Sequence, residues 1–468
     1  MTAINFIHCA DTHLGKIQQN SSRRFEDFLD SFEDVVNYAV SENVDFIVVA
    51  GDFFDKRNIN PDTFSKTFCI LKKLKKHNIP LIACEGNHDK TFYGNKLSWM
   101  ETLAEIGYII LLKPGYDEKG NIKYTGWNES NKRGFYYDIN PKIRIFGLGY
   151  LGSEADERFC EISRFLFESK NNYNKFNIVL IHGIIKKYQS DFIGTISSDA
   201  VNNLKNCCDY IALGHQHTRY EHENFAFNPG SLEYWDIKEV KHDAGKKGFY
   251  HVRVDEAGKI ETGFKESSKR FAIYLEVDIS GTKNPDDVYF LIREKLRQRK
   301  QDNKNINKNI NNIYEPISEL YEEISRAKAM PIIQVVLGGK VTYDVMEIDT
   351  KFLKEKISEE FDALLVDIDT DKILFTRFEH VIARDMSREE IEKQVIGDYV
   401  EQAGRFLGYE DKTTELVLNV ISLSSASQTQ DNCEEIYKTI LNCDVKRKKI
   451  EPGILGTNNT QKSILDFG

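Results

Sequence analysis

The stretch that decides the fold is Ile4–Gly15, which reads INFIHCADTHLG. Its apolar run, Ile4–Ala10, leads directly into Asp11 and His13. The run is short and contains isoleucine and phenylalanine, as is typical of a buried strand. In open α/β sheets, ligands bind just beyond the carboxyl ends of the strands. The opening segment therefore predicts a buried strand that carries a polar site at its carboxyl end.

The same pattern recurs through the first 230 residues. Five further apolar runs predict buried strands: Asp45–Ala50, Pro80–Glu85, Ile143–Leu148, Asn177–Ile181 and Asp209–Leu213. Between some of them, Arg24–Ser41 and Thr63–His77 carry apolar residues near the 3.6-residue period of an amphipathic helix. Strands that alternate with helices predict an α/β fold.

Polar residues follow five of the predicted strands. They are Asp11 and His13, Asp52, Asn87 and His88, His182, and His215 and His217. Taken singly, each cluster has an ordinary structural explanation, because Asn and Asp are common in turns and a lone histidine is usually a satisfied structural residue. Seven oxygen and nitrogen ligands among these eight residues, all at strand ends and in one order along the chain, point instead to a metal site.

The ligand types indicate which metal the site would hold. Carboxylate, imidazole and amide groups without any cysteine suit a divalent ion such as manganese better than a thiolate-bound zinc. One carboxylate can bridge two cations about 3.5–4 Å apart, an arrangement that recurs in phosphatases and nucleases. The sequence therefore predicts two divalent metal ions, manganese in the first place and magnesium as the alternative.

Two motifs carry a resemblance to a known family. His8–Gly15 is similar to the opening motif of the SbcD branch of the calcineurin-like metallophosphoesterase superfamily, and Asn228–Glu233 is similar to the segment after that branch's last histidine motif. The branch includes the DNA repair nucleases named for meiotic recombination eleven. The resemblance is specific over roughly the first 250 residues and rests on layout alone beyond them.

The resemblance implies a four-layer α/β/β/α sandwich and two metals that share Asp52. One metal would be held by Asp11, His13, Asp52 and His217, and the other by Asp52, Asn87, His182 and His215. His88 would be the catalytic residue that protonates or stabilises the leaving 3′ oxygen, with Asp11 or Asp52 orienting the attacking hydroxide. The alternative for His88 is a turn residue.

Two departures from related patterns matter. Archaeal and eukaryotic members of the branch usually have a second histidine where this chain has Asp55, whereas bacterial members often have aspartate there. The role of that histidine therefore does not transfer to this chain. The Asp-Arg-Gly and Asn-His-Glu pattern of protein phosphatases is absent, since Asp55-Lys56-Arg57 and Asn87-His88-Asp89 stand there instead.

The same resemblance implies the domain order. We expect a phosphoesterase domain over 1–268, a smaller α/β capping domain for DNA recognition over 269–383, a helical region for an SMC-like ATPase partner over 384–445 and a flexible tail over 446–468. The cap could instead merely pack against the core, and the helices could be ordinary packed helices. Gln301–Asn312, rich in Asn and Lys, predicts a mobile loop.

The predicted function is a metal-dependent DNA exonuclease, 3′→5′ on double-strand ends, with endonuclease activity on single strands or hairpins. Its partners would be DNA ends, the SMC-like ATPase and a second copy of the chain. No Gly-rich phosphate-binding loop of the ATPase type occurs, so ATP hydrolysis would belong to the partner. The alternatives are a small-molecule phosphodiesterase or phosphatase on the same site, and a non-catalytic subunit that tethers DNA ends.

Composition argues against a secreted or membrane-spanning protein and leaves DNA binding open. The chain of 468 residues is 41% hydrophobic and carries a net charge of −10, so only local basic clusters such as Lys246-Lys247 could favour DNA, and such clusters are usually solvated surface. We find no apolar run of about 18 residues and no secretory signal, and eight scattered cysteines indicate a cytoplasmic protein with no membrane span. The final residues, Gln461–Gly468, faintly resemble a sliding-clamp-binding peptide; the alternative is a tail with chance hydrophobic residues.

Overall fold

The computed structural model describes residues 3–173, 175–189, 194–241, 246–311, 330–375, 387–402 and 410–425. The chain divides into two compact units, Met1–Phe375 and Thr376–Gly468. The strands are β1 (Ile4–Cys9), β2 (Phe46–Ala50), β3 (Leu81–Cys84), β4 (Ile110–Leu111), β5 (Gly115–Tyr116), β6 (Ile122–Lys123), β7 (Tyr136–Asn140), β8 (Ile143–Gly149), β9 (Phe176–His182), β10 (Ile184–Ile185), β11 (Thr195–Ile196), β12 (Tyr210–Gly214), β13 (Tyr220–His222), β14 (Ala226–Asn228), β15 (Gly248–Val254), β16 (Ile260–Glu266), β17 (Ala272–Asp278), β18 (Ile332–Val341) and β19 (Leu365–Phe375). The α-helices are α1 (Ser22–Ser41), α2 (Pro61–Lys76), α3 (Trp99–Glu105), α4 (Ala155–Tyr173), α5 (Ser198–Leu204), α6 (Asp286–Asn311), α7 (Thr350–Phe361), α8 (Arg388–Gln402) and α9 (Glu410–Ser425).

Two six-stranded sheets form the centre of the first unit. One has the order β16-β15-β1-β2-β3-β4, in which β1 to β4 run parallel and β15 pairs antiparallel with β1. The other has the order β13-β14-β12-β9-β8-β7, in which β8, β9, β12 and β14 run parallel. Each sheet therefore presents the carboxyl ends of its central strands at one edge.

The two sheets pack face to face and are covered by helices on their outer faces. Because side chains alternate along a strand, Phe6 of β1 joins the cluster between the sheets, whereas Ile7 packs outward with α1. On the other side, residues of β8, β9 and β12 form a separate cluster with α4 and α5. The predicted four-layer α/β/β/α sandwich is confirmed.

Helix boundaries in the first unit follow local chemistry. The Asn60 side chain accepts a hydrogen bond from the Thr63 backbone N–H at 2.7 Å, and Pro61 occupies the first turn of α2. A Ser98–Glu101 capping box begins α3 in the same way. The predicted bounds of α1 and α2 agree with the structure to within two residues.

A smaller α/β layer follows the sandwich. Strands β17, β18 and β19 form a parallel sheet in that order, and α6 and α7, the two crossover helices, pack on one face of it. On the other face, Ile332 and Leu365 contact Tyr234 and Ile237 of the sandwich. The expected small α/β element is thus present, and the domain boundaries at 268/269 and 383/384 stay predictions.

A buried ion network joins the sandwich to this smaller sheet. Arg24 pairs with Asp27 at 2.7 Å and with Glu233 at 3.2 Å, and all three side chains are at most 4% exposed. Arg270 adds two bonds to Asp27 and donates to the backbone oxygen of Met330 at 2.8 Å. Glu233, the last residue of the Asn228–Glu233 motif, therefore has a structural role, because it neutralises a guanidinium that has no access to water.

The remaining predictions of helices and loops have mixed outcomes. The mobile loop predicted for Gln301–Asn312 is wrong, because α6 continues to Asn311. The predicted helices 387–404 and 414–423 are confirmed as α8 and α9, which contact each other. The helix predicted for 431–442 and the tail that contains Gln461–Gly468 lie outside the described residues. Among the described helices, none combines the length and the apolar character that a bilayer span requires.

Candidate metal centre

Polar side chains from five loops and strand ends meet at the carboxyl edge of the two sheets. Three groups have ligand atoms that all lie within 4.8 Å of one another: Asp11, His13 and His217; His13, Asp52 and His88; and Asp52, His182 and His215. The amide oxygen of Asn87 lies 3.2 Å from His182 Nε2 and so joins the third group. The structure therefore brings together all eight residues that the sequence singled out.

The backbone at this edge adopts an unusual conformation. Asp11, His13, Asp52 and His215 have φ angles of 50°, 44°, 49° and 83°, in the left-handed region that L-residues rarely occupy. Each such residue costs on the order of 1–3 kcal/mol and persists only where its surroundings enforce it. Four such residues lie around one point. The strained backbone therefore directs these four side chains toward the same place.

Two glycines allow the loops to approach one another. A Cβ on Gly86 would lie 1.9 Å from Asp52 Oδ1, and one on Gly51 would lie 2.4 Å from His182 Nδ1. Both distances are below any real carbon contact, so no other residue fits at either position without displacing a candidate ligand. Asp89 supports the same loops, because its carboxylate accepts the backbone N–H groups of Phe53, Phe54 and Gly86 at 2.9–3.0 Å.

The end of the centre that contains Asp52, Asn87 and His182 holds three hydrogen-bond acceptor atoms and no donor between them. His182 Nδ1 lies 2.8 Å from the backbone oxygen of Ala50, which can only accept, so Nδ1 carries the proton. In the neutral imidazole, the lone pair of Nε2 then faces Asp52 Oδ2 at 3.3 Å and Asn87 Oδ1 at 3.2 Å. Three such atoms repel one another unless a cation or an added proton lies between them, so this end fits a bound metal ion.

The second end, which contains Asp11, His13 and His217, is arranged by the carboxylate of Glu239, a side chain that is 18% exposed. His217 Nδ1 lies 2.6 Å from Glu239 Oε1, and Lys247 Nζ holds the other oxygen of Glu239 at 2.8 Å. The His217 Nε2 lone pair therefore faces the cluster, with Nε2 of His13 3.0 Å away. Two imidazole nitrogens this close repel each other unless one proton or one cation lies between their lone pairs. This end also fits a metal ion.

His88 lies beside both ends without belonging fully to either. Its Nδ1 donates to the backbone oxygen of Asp55 at 2.6 Å, and its Nε2 lies 3.9 Å from Asp52 Oδ2. Its side chain is 29% exposed, whereas those of His13 and His182 are fully buried. A substrate can therefore reach His88 directly, as a proton donor requires.

The charges at the centre are strongly coupled. Burial acts to raise the pKa of Asp52, but the facing histidines, His182 first, bring it below its usual range. Burial acts to lower the pKa of His182, and the Asp52 carboxylate overrides it and raises the pKa of His182 to about 9. Burial raises the pKa of Asp11 to about 6 against the pull of His182 and His217. A divalent cation would displace protons from these groups as it binds.

Sequence reasoning missed the residues that support the ligands. Lys246-Lys247 was interpreted as a solvated basic cluster, which is wrong for Lys247, because its side chain is 1% exposed and ion-paired with Glu239. Trp235 was not singled out, although its indole N–H donates to Asp55 Oδ1 at 2.8 Å. The only available signal was position, since Trp235 lies two residues after the end of the Asn228–Glu233 motif.

Several known proteins are similar to this chain. The calcineurin-like phosphoesterase family model matches residues 4–219. A protein from Archaeoglobus fulgidus named DNA double-strand break repair protein Mre11 is 24% identical to it, over 99% of this chain and 99% of that protein. One of the same name from Methanosarcina mazei is 26% identical over 63% of this chain and 43% of its own length, so the chain spans less than half of that relative. The solved calcineurin-like phosphoesterase YfkN of Bacillus subtilis is 13% identical, with coverage of 57% and 91% and a TM-score of 0.34.

Proposed function

From a chain that contains a calcineurin-like phosphoesterase domain and is homologous to the Mre11 proteins, we infer a metal-dependent nuclease that acts in DNA double-strand break repair. The observation that carries this proposal is the pair of ligand groups at the carboxyl edge of the sheets. Both groups direct lone pairs at an enclosed point, and His13 and Asp52 each belong to two of the three clusters. Such paired sites suit the hydrolysis of phosphodiesters.

The donor set supports the nature of the cations. We propose that one is held by Asp11, His13, Asp52 and His217 and the other by Asp52, Asn87, His182 and His215. All of these donors are oxygen or imidazole nitrogen, which favours manganese and allows magnesium. When bound, the ions would supply charge neutralisation for the phosphate and activation of the attacking water.

His88 would supply the proton for the leaving group. Its Nδ1–H is fixed on the Asp55 carbonyl, so Nε2 is the atom that faces the substrate side. In the protonated ring, Nε2–H would donate to the 3′ oxygen as the phosphorus–oxygen bond breaks. Asp52 accepts the backbone N–H of His88 at 2.9 Å, which holds the donor at a fixed position relative to the ligands. Asp11 or Asp52 would orient the attacking water.

The remaining parts of the proposal come from the resemblance to this branch of nucleases. We propose 3′→5′ exonuclease action on double-strand ends and endonuclease action on single strands or hairpins, with the layer of β17, β18 and β19 as a cap that helps to hold DNA. Helices α8 and α9 would bind an SMC-like ATPase, and a second copy of the chain would complete a homodimer. A sliding clamp would bind the tail. The protein would act on DNA inside the cell.

The test is cleavage of a duplex labelled at one 5′ end, with Mn²⁺, Mg²⁺ or a chelator, beside hydrolysis of bis(p-nitrophenyl) phosphate. A 3′→5′ exonuclease yields a ladder of shortened labelled strands, and chelation abolishes it. DNA cleavage should weaken steeply with salt, because phosphate contacts release counterions. Turnover of the small diester without any DNA cleavage would instead identify a small-molecule phosphodiesterase, and binding of DNA ends without hydrolysis of either substrate would identify a tethering subunit.

A further inference from the structure

Two aromatic side chains flank the ligand cluster at its opposite ends. The Trp235 ring centroid lies 5.8 Å from that of His13 and 5.6 Å from that of His217. The Tyr150 ring lies 5.2 Å from that of His215 and 6.1 Å from that of His182. Each end of the centre therefore has one aromatic neighbour, and both rings are partly exposed.

The ammonium group of a lysine lies over each of these rings. Lys16 Nζ lies 3.7 Å from the centroid of Trp235, and Lys90 Nζ lies 5.1 Å from the centroid of Tyr150. The indole is held in place, because its N–H donates to Asp55 Oδ1 at 2.8 Å. A lysine above an aromatic ring makes a cation–π contact worth about 0.5–1 kcal/mol at an exposed site, and Lys16 Nζ also lies 3.6 Å from Asp55 Oδ1. A phosphate that drew the lysine away would leave the ring face open to another planar group.

A cavity adjoins each ring, and Arg57 lines both. The cavity beside Trp235 has a volume of about 450 Å³ and includes Lys16, Lys56 and His88 in its lining. The cavity beside Tyr150 has a volume of about 420 Å³ and includes Lys90 in its lining. Arg57 also reaches the backbone oxygen of Asn87 at 3.5 Å, next to His88. Lysine and arginine side chains thus lie beside both rings and on either side of His88, although Asp55 and Glu85 line the same cavities.

We propose that Trp235 and Tyr150 are stacking platforms for the two nucleobases on either side of the scissile phosphate, with Lys16 and Lys90 taking the neighbouring phosphates. The proposal rests on the nuclease function above and adds to it a subsite on each side of the cut. Paired aromatic rings and cations are the chemistry by which proteins bind single-stranded nucleic acid without sequence preference. The bases must therefore be unstacked from a duplex before the phosphate reaches the centre.

The test compares two substrates that share the same chemistry. Bis(p-nitrophenyl) phosphate has no nucleobase, whereas a short single-stranded oligonucleotide would occupy both subsites. In Trp235→Leu and in Tyr150→Leu, kcat/KM should fall about tenfold more on the oligonucleotide than on the small diester, as expected from the loss of one base–aromatic stack. Phe167→Leu, which removes an exposed ring on the outer helix α4, is the matched control and should change neither rate.

An abasic substrate shows which side each ring serves. Removing the base on one side of the cleaved bond should slow the wild-type protein about tenfold, and the variant that lacks the corresponding ring should lose nothing further. Lys16→Gln and Lys90→Gln should weaken oligonucleotide cleavage and lower its salt dependence, whereas Lys96→Gln, exposed and outside both cavities, should do neither. If a ring variant fails to fold, the two lysine variants still test the proposed subsites.

The outcomes separate this proposal from the function on which it depends. If the wild-type protein cleaves the oligonucleotide but each ring variant slows both substrates by the same factor with manganese retained, the rings are only structural and the stacking proposal is overturned. If the wild-type protein hydrolyses only the small diester, the nuclease function itself is wrong.

Discussion

At one end of the candidate metal centre a backbone carbonyl orients the histidine, whereas at the other end a carboxylate does so. His182 donates to the oxygen of Ala50 in β2 at 2.8 Å, and His217 donates to Glu239 at 2.6 Å. We call the Asp52, Asn87 and His182 group the backbone-held end, and the Asp11, His13 and His217 group the carboxylate-held end. Partners behind a ligand fix its tautomer and direction, so this difference determines how each end can fail.

The backbone-held end depends on shape. Its orienting carbonyl belongs to a central strand, and glycines at positions 51 and 86 leave no room for a Cβ. The carboxylate-held end depends on charge. Burial acts to raise the pKa of Glu239, but Lys247 and His217 hold that pKa below its usual range. We therefore expect steric substitutions to disable the first end and charge substitutions to disable the second.

The largest effect should come from His88, the residue that lies beside both ends. In His88→Ala the leaving oxygen loses its proton donor, so DNA cleavage should fall by about 10²–10⁴-fold. Neither end loses a ligand in our assignment, so the manganese content should be unchanged. The measurement is single-turnover cleavage beside metal analysis, with the exposed His77→Ala as control. A fall of less than about fivefold would remove His88 from the chemistry.

The next effect tests the dependence of the backbone-held end on shape. In Gly86→Ala the new methyl group would overlap Asp52 Oδ1, so the carboxylate must move. A displacement of this size should slow cleavage by about 10²-fold or more. The control is Gly263→Ala in β16, where a Cβ has its nearest neighbour at 3.8 Å. Normal activity in Gly86→Ala would show that the loops can move apart without loss of function. The backbone-held end would then not depend on shape in the way proposed here.

A smaller effect should mark the carboxylate-held end. In Glu239→Gln, His217 keeps a hydrogen-bond acceptor but loses the negative charge behind it, and the affinity for one metal should fall about 10- to 100-fold. Titration with manganese should then show one tight site and one weak site, with Glu261→Gln on the exposed surface of β16 as control. In this variant Lys247 keeps its hydrogen bonds to Ser231 Oγ and the His217 backbone oxygen but loses its only negatively charged partner among the described residues. Glu239→Gln/Lys247→Met should therefore recover thermal stability without recovering the affinity. Two tight sites in Glu239→Gln would contradict the role of this carboxylate.

The contrast between the ends also explains what the sequence could and could not predict. His182 and His215 are recognisable because each ends or follows a short apolar strand, and the fold brings all such ends to one edge. The strands and the α/β class follow from the same local patterns of apolar residues, whereas the four-layer arrangement was implied by the resemblance to the family. The ligands and the strands therefore depend on one signal, which is readable from the chain alone.

Glu239 and Lys247 carry no comparable signal. Both lie in the region after β14, and only the folded chain brings them against His217, which lies 22 residues before Glu239 and 30 residues before Lys247. A lysine that is 1% exposed looks the same in sequence as one in water, and its neighbour Lys246 is in fact exposed. Long-range electrostatic partners of this kind were missed for that reason, and so were the buried pairings of Arg270 with Asp27 and of Arg24 with Glu233.

The smallest effect concerns the pH dependence of stability in the metal-free protein. The pKa of His182 is raised to about 9, so its contribution to stability is fully present below pH 6.5 and is lost as the pH rises through about 9. In chelator, the unfolding free energy of the wild-type protein should fall relative to His182→Asn by on the order of 1 kcal/mol between pH 7 and 9.5. Burial lowers the pKa of His13, so His13 is already neutral at pH 7 and His13→Asn should give no such difference from the wild type. Saturating manganese should suppress the His182 effect, because a cation then takes the place of the proton between Asp52 and His182. An equal pH dependence in the two variants would mean that the Asp52–His182 pair does not hold the proton that its geometry requires.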